Sequence, residues 1–223
     1  VNWDKRNMFF LILGGLCFAL DMSIWNWSLS FTSVANATLM ANTAPVFVVI
    51  FGILLLGYKI ELSFVFTLLL ALIGVFLVVL PGEKTMVFGD SLGLIAAIFY
   101  AGYILSIKDL TNSLKPARTL FLVTCVTTFC LLPISLIETG DLNINLSEFF
   151  ILLAYAVFSQ TIAQGLITSG ISRVSAHLSS LVLLMQPVAA ALYGWFLLEE
   201  ILTPLQVFGG FIVLTAIYMA SQK

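Results

Sequence analysis

Charged residues are scarce in this sequence. Lys, Arg, Asp and Glu make up 9% of the 223 residues, whereas hydrophobic residues make up 61%. Soluble domains carry about 25% charged residues, so too few charges are present here to cover a water-facing surface, and a soluble globular domain is excluded. The nine basic and eleven acidic residues give a formal charge of −2, which offers no basic field to a nucleic-acid backbone. Nucleic acid is therefore excluded as a partner.

The residues that enzyme and metal sites use are also few. His177 is the single histidine, and no GxSxG, P-loop or CxxC motif occurs. The three cysteines, Cys17, Cys125 and Cys130, each lie in an apolar run, so they are predicted to be buried thiols and not a disulfide framework or a metal site. The sequence therefore predicts no enzyme activity, no metal and no cofactor.

Long apolar runs, by contrast, fill the chain. A bilayer core about 30 Å thick needs about 20 apolar residues per spanning helix, and eight runs of that length occur between short polar breaks. The fold class is therefore predicted to be all-α, a polytopic transmembrane helical bundle with eight helices. The predicted helices cover roughly 7–29, 33–57, 62–81, 89–108, 118–138, 147–169, 174–198 and 203–221.

Basic residues fall on one side of the predicted bundle. With the N-terminus placed inside, the inner helix ends hold eight of the nine Lys and Arg residues, and the outer ends hold Lys84 alone. Short cytoplasmic loops carry an excess of Lys and Arg. Both termini are therefore predicted to be cytoplasmic.

The sequence also repeats itself at an offset of 142 residues. Residues 33–57 align with residues 175–199 without a gap, which sets Pro45 against Pro187. The orientation rule gives the paired helices opposite directions through the membrane, and such inverted-topology repeats are typical of secondary transporters.

The repeat predicts the domain division and the helix count. Residues 1–81 are predicted to hold the last three helices of a first repeat, and residues 82–223 a complete five-helix second repeat. The pairing leaves two helices of the second repeat without partners, so two further helices are expected upstream, about ten in all. The alternative is a complete eight-helix bundle.

Three stretches of the chain carry a family resemblance. WSLSFTSVANATLMANTAPVFVVIFGILLLGYKI looks like the end of one repeat, GDSLGLIAAIFYAGYILSIKDL like the opening of the next, and SRVSAHLSSLVLLMQPVAAALYGWFLLEEILTPLQVFGGFIVLTAIYM like its end. Together they resemble the EamA-type family of the drug/metabolite transporter superfamily. The departures are Gly57-Tyr58-Lys59 in place of a Gly-Glu turn and Phe99-Tyr100 in place of a Trp. The resemblance implies two inverted five-helix units around a central cavity that moves small polar or amphipathic metabolites across the inner membrane.

Asp21 is the acidic residue that lies most clearly inside a predicted membrane span. An ionised side chain at mid-bilayer costs about 2.5–3.5 kcal/mol on insertion scales, so an intramembrane Asp predicts a functional site. Phe18, Asp21 and Trp25 share one helix face, which predicts that Asp21 and Trp25 line a substrate cavity or its gate. The alternative is that Asp21 fixes helix packing and that Trp25 belongs to an interfacial aromatic belt.

Pro45 and Pro187 lie in the middle of corresponding spans, where each removes one backbone hydrogen-bond donor. Corresponding interruptions in two repeats point to a binding site near the bilayer midplane. The two prolines are therefore predicted to be hinges, and the neighbouring Asn42 and Gln186 are predicted to line the cavity. Close helix packing uses similar patterns of polar and small residues, and it remains the alternative.

Tyrosine and glutamine residues complete the predicted cavity. Tyr100 and Tyr103 offer a flat apolar ring with a hydroxyl group, and Gln160 and Gln164 offer a donor and an acceptor without charge. Such side chains suit an amino or hydroxyl group on a solute in a dry cavity. Glutamines that join helices in a packed core are the alternative.

The predicted function is a transporter of small metabolites or drugs, of the amino-acid or metabolite exporter type, in the bacterial inner membrane. Its predicted mechanism is alternating access, with protons coupled to export if Asp21 titrates. The predicted partners are a small-molecule substrate, the lipid bilayer and protons. The alternative function is a non-transporting helical scaffold or subunit that associates through its Ala- and Gly-rich faces.

Overall fold

The structure, a computed structural model, describes residues 4–80, 87–139, 145–197, 199 and 201–222. These residues form helices, and no strand occurs among them. In chain order the elements are α1 (Lys5–Ser28), α2 (Val34–Ala41), α3 (Ala44–Leu56), α4 (Leu62–Val79), α5 (Val87–Thr111), α6 (Pro116–Thr139), α7 (Leu146–Tyr155), a π-helical segment (Ala156–Ala163), α8 (Gln164–Arg173), α9 (Ala176–Leu183), α10 (Met185–Leu197) and α11 (Pro204–Ser221).

Eight helical spans in the described part of the chain are long and apolar enough to cross a membrane. Four are single helices, namely α1, α4, α5 and α11, and a fifth lies within α6. The other three are composite: α2 with α3, α7 with α8 through the π-helical segment, and α9 with α10. The predicted all-α, eight-helix membrane bundle is confirmed.

The chain divides into two packing units. The first combines Val1–Ala19 with Tyr103–Ser175, and the second combines Leu20–Gly102 with Ala176–Lys223. Each packing unit draws residues from both predicted repeats, so the units do not test the predicted division between residues 81 and 82. That boundary lies outside the described residues, and the division stays a prediction.

Polar contacts join three helix ends in the first packing unit. Arg6 of α1 forms a salt bridge with Asp109 of α5, in which the arginine Nε also donates to Oδ2 at 3.2 Å. Lys108 Nζ donates to the carbonyl oxygens of Ile171 and Ser172 at the end of α8, at 3.3 and 3.2 Å. A cation at a helix C-terminus offsets the partial negative charge of the last carbonyls. The beginning of α1 and the ends of α5 and α8 therefore meet at one membrane end.

A hydrophobic core holds the second packing unit together. The buried members lie on α3, α4, α9, α10 and α11 or at the break before α10; they are Val49, Leu68, Ala71, Val75, Val78, Leu181, Leu184, Val188, Val213 and Ala216. Helices α4 and α11 meet at Gly74 and Gly209, where a Cβ atom on Gly209 would lie 2.7 Å from the Gly74 carbonyl oxygen. Since glycine has no Cβ, the two backbones come into direct contact there.

The cysteine prediction is wrong in part. Cys17 is buried as expected, but Cys125 is exposed on α6 and Cys130 is half-buried. An apolar run identifies a membrane span because of its length and composition, yet it does not indicate which face neighbouring helices cover. Cys125 lies on a face of α6 that the described residues leave open.

Candidate functional site

The spans that contain Pro45 and Pro187 are both interrupted just before the proline. The first span breaks at Asn42 and Thr43, between α2 and α3. The corresponding span breaks at Leu184, between α9 and α10. The bounds of α2 and α9 differ by the repeat offset of 142 residues at both ends, and so do those of α4 and α11. The two interruptions therefore occupy the same position in the repeated sequence.

Side chains and backbone groups close these breaks. Asn42 Nδ2 donates to the Thr38 carbonyl oxygen at 2.7 Å, and Thr43 Oγ1 donates to the Met40 carbonyl oxygen at 2.6 Å. In the other span, the backbone N–H of residue 184 donates to the Leu181 carbonyl oxygen at 3.1 Å. Pro45 then falls in the first turn of α3, where a missing N–H costs little. The breaks are thus ordered local structures.

The two interrupted spans lie in the second packing unit and share its core. Helix α3 packs against α9, and the core includes Leu184 at one break. Pro45 and Pro187 are buried, whereas Asn42 is half-buried and Gln186 is exposed. The prolines therefore sit in packed surroundings, and the two polar residues predicted to line the cavity remain accessible.

Asp21 and Trp25 lie one turn apart on α1, and both are half-buried in the second packing unit. Tyr100 of α5 is half-buried in the same unit. Within the described segments, the Asp21 carboxyl has neither a hydrogen-bond partner nor an ion-pair partner. A lone carboxyl in an apolar span is costly unless it is protonated or reaches water. Asp21 therefore has the chemistry expected of a proton-binding group.

Tyr103 and Gln164 form a partly buried polar contact in the first packing unit. Tyr103 is fully buried, and its ring stacks on Phe18 with a centroid distance of 4.5 Å and an interplanar angle of 21°. Gln164 Nε2 donates to the tyrosine hydroxyl at 2.7 Å. One turn further along α8, Thr168 is buried with a hydroxyl that has no hydrogen-bond partner among the described residues. Tyr103 and Gln164 are named the polar cluster below.

The structure separates Gln160 from Gln164, although their spacing places them on one face of an α-helix. Gln160 lies in the π-helical segment, where the Thr161 hydroxyl donates to the Ala156 carbonyl oxygen five residues earlier, at 3.0 Å. Since a π-helix has more residues per turn than an α-helix, the i, i+4 rule does not hold there. Gln160 instead lines an open groove between α6 and the span that contains α8. No sequence pattern predicted the π-helical segment.

This separation predicts different effects for the same substitution at two glutamines. Gln164→Leu removes the hydrogen bond to the buried Tyr103 hydroxyl, so we expect it to lower the free energy of unfolding by about 1–2 kcal/mol. Gln160→Leu adds an apolar side chain to an open groove and is expected to change it by less than about 0.5 kcal/mol. Denaturation of each variant in one detergent measures both values. Equal losses in the two variants would contradict the assignment of the contact.

The sequence profile of the EamA-like transporter family matches residues 1–80 and 87–222. The pseudopaline exporter CntI of Pseudomonas aeruginosa is 25% identical over 217 residues, which are 97% of this chain and 76% of the exporter. An uncharacterized transporter of Archaeoglobus fulgidus is 26% identical over 222 residues, which are 100% of this chain and 70% of that transporter.

A solved crystal structure has the same fold. Its TM-score is 0.79 at 16% sequence identity, with coverage of 99% of this chain and 79% of that chain. The family profile covers nearly all of the chain, and the eight apolar spans of the described residues fit a multi-pass membrane protein. The chain belongs to the EamA-like transporter family and is an integral multi-pass membrane protein.

Proposed function

We propose that this chain exports a small metabolite or drug by alternating access, in a bacterial inner membrane with both termini in the cytoplasm. The observation that carries the proposal is the pair of interrupted helices at corresponding positions of the repeat. Such paired interruptions are typical of the substrate sites of secondary transporters. A carrier of this kind forms no covalent bond with its solute, so no residue is assigned to catalysis.

The proposed repeats are residues 1–81 and 82–223, related by an inversion across the membrane. The shared 142-residue offset of the bounds of α2 and α9, and of α4 and α11, supports this division. Each break provides a place where a half-helix tilts without loss of a regular backbone hydrogen bond, because the proline N–H is already absent. We therefore assign Pro45 and Pro187 as hinges.

The polar cluster supplies a candidate contact for the solute. The Tyr103 hydroxyl and the Gln164 amide combine donor and acceptor groups without charge, and the Phe18 ring adds an apolar wall. These groups suit a solute with amino or hydroxyl groups beside an apolar part. The name of the pseudopaline exporter supports the outward direction. Roles in solute binding for Trp25, Asn42, Tyr100, Gln160 and Gln186 remain predictions.

Asp21 is the proposed proton-coupling residue. Its carboxyl lies in an apolar span without an ion-pair partner among the described residues, so the ionised form depends on contact with water. In a carrier that opens to one side at a time, that contact changes with the conformation. Proton release and solute release are thereby linked.

Reconstitution in vesicles tests the proposed function. The purified chain is placed in vesicles loaded with a mixed metabolite pool, and the solutes that leave are identified by mass spectrometry. We expect at least one small polar or amphipathic solute to cross faster than in protein-free vesicles. A pool in which every solute stays inside, at either sign of the pH gradient, would contradict the proposal.

Cysteine accessibility distinguishes a carrier from a scaffold. Asp21→Cys, Asn42→Cys and Gln186→Cys are made separately in a chain whose three native cysteines are replaced by serine, which also removes the exposed Cys125. A carrier lets a small aqueous thiol reagent reach each new cysteine from both sides of the membrane. A scaffold leaves these positions unlabelled from at least one side.

The hinge assignment predicts slower transport when both prolines are replaced. Pro45→Ala with Pro187→Ala restores two backbone donors and favours straight helices, so we expect the transport rate to fall about tenfold, which corresponds to about 1.4 kcal/mol. The matched control is Pro133→Ala, because Pro133 lies inside the continuous helix α6 and not at a helix break. Equal rates in the double variant and the wild type would exclude a hinge role.

A further inference from the structure

One groove on the first packing unit includes Gln160, which is predicted above to line the substrate cavity, but its other lining residues have no role in the proposed transport mechanism. It lies between α6 and the span that contains α8, and its volume is about 810 Å³. Its apolar walls include Phe121, Phe129 and Leu166, whose exposed fractions are 66%, 80% and 71%. Hydroxyl groups from Thr124, Thr128 and Ser169 also line it, and none of the described residues that line it carries a charge. The groove is thus open and mainly apolar, with a few uncharged polar groups along it.

Two arginines lie about one helical turn beyond residues that line this groove. Arg118 lies three residues before the groove residue Phe121 on α6, and Arg173 lies four residues after the groove residue Ser169 on α8. Residues three or four apart share a helix face, so each arginine lies on the same face of its helix as the residues that line the groove. Both arginines are exposed.

The helix ends that carry Arg118 and Arg173 lie on the same side of the membrane. Successive spans cross the bilayer in opposite directions, so the beginning of α6 and the end of α8 lie on one side. The packing agrees, because a Cβ atom on Gly165 would lie 3.7 Å from Leu120 Cδ2, which sets the first half of α6 against α8. The excess of basic residues on this side predicts that it faces the cytoplasm.

We propose that this groove binds an anionic phospholipid, with an acyl chain along the apolar walls and the phosphate headgroup at Arg118 and Arg173. Arginine binds phosphate through two parallel N–H donors, so a pair of arginines at the membrane surface suits an anionic headgroup. The apolar walls favour a lipid over a soluble phosphate, because burial of hydrocarbon supplies much of the binding free energy. The volume lies within the range of small-molecule sites.

Photocrosslinking in vesicles tests the lipid site. The full chain is reconstituted with a trace of phosphatidylglycerol that carries a diazirine in its acyl chain, or with the matched phosphatidylcholine probe. We expect about tenfold more crosslinking of the phosphatidylglycerol probe to the groove peptides around Cys125 and Leu166, because two arginines attract the anionic headgroup. Thr124→Trp fills the groove and is expected to reduce this crosslinking without a change in charge.

Charge variants test whether the two arginines bind the anionic headgroup. Arg118→Gln with Arg173→Gln is expected to lower phosphatidylglycerol crosslinking to the phosphatidylcholine level. The matched control, Lys5→Gln with Lys59→Gln, removes two exposed basic residues outside the groove and is expected to keep the preference. If the glutamine variant does not fold, Arg118→Lys with Arg173→Lys keeps the charge but loses the paired donors, and it is expected to retain only part of the preference.

Three results would overturn the lipid site. Equal crosslinking by the two probes in the wild type would identify bulk lipid only. A phosphatidylglycerol preference that survives the loss of both arginines would place its cause elsewhere. Crosslinks from the groove to a second copy of the chain, or to another protein segment, would show that protein covers this face. The site does not depend on the proposed transport function, so a failed vesicle export screen leaves this test unaffected.

Discussion

Asp21→Asn is expected to abolish pH-driven transport and to leave the chain folded. Asparagine keeps the size and polarity of the side chain but cannot release a proton. The carboxyl has no ion-pair partner among the described residues, so its replacement leaves no partner charge uncompensated. We therefore expect solute flux under a pH gradient to fall to the level of protein-free vesicles, while exchange of labelled for unlabelled solute continues.

The matched measurements separate coupling from folding. Asp21→Glu retains a titratable carboxyl and is expected to restore part of the pH-driven flux. Asp90→Asn is the control acid, because the Asp90 carboxylate accepts a hydrogen bond from Thr32 Oγ1 at 2.6 Å and already has a structural partner. A pH-sensitive dye inside the vesicles reports proton movement with each variant. An unchanged proton dependence in Asp21→Asn would remove Asp21 from the coupling mechanism.

The membrane spans were predictable because length and composition determine them. Each predicted run had enough apolar residues to cross a bilayer, and the observed spans differ from the runs by only a few residues at their ends. The positions of Pro45 and Pro187 also indicated where the two spans break, because a proline cannot donate the hydrogen bond that a continuous helix needs. The side-chain hydrogen bonds of Asn42 and Thr43 that close the break between α2 and α3 could not be predicted from the position of the proline.

The candidate site was only partly predictable because its contacts depend on local geometry. The contact between Tyr103 and Gln164 joins residues 61 positions apart, and the sequence indicated their chemistry but not their pairing. The spacing of Gln160 and Gln164 would place both on one face of a regular α-helix, which the π-helical segment does not provide. The groove escaped prediction for a similar reason: hydropathy does not distinguish a face in contact with lipid from one in contact with protein.

The crossing of α4 and α11 predicts the largest effect on stability. A Cβ atom on Gly209 would lie 2.7 Å from the Gly74 carbonyl oxygen and 2.9 Å from the backbone nitrogen of Val78. Backbone atoms cannot move aside as a flexible side chain does, so the helices must separate to admit a larger residue. Gly209→Val is expected to lower the free energy of unfolding by about 3 kcal/mol, seen as a lower midpoint in thermal denaturation in detergent.

Gly210 provides the control for this crossing, because it is the next residue on the same helix. A Cβ atom there would meet only Val188 Cγ1 at 3.5 Å, an ordinary van der Waals contact. Gly210→Ala is therefore expected to stabilise the chain by about 0.5–1 kcal/mol through the higher helix propensity of alanine. The same substitution at Gly209 is expected to destabilise it, since the close backbone contact outweighs that gain. Stabilisation by both alanines would show that α4 and α11 do not need the close approach at Gly209.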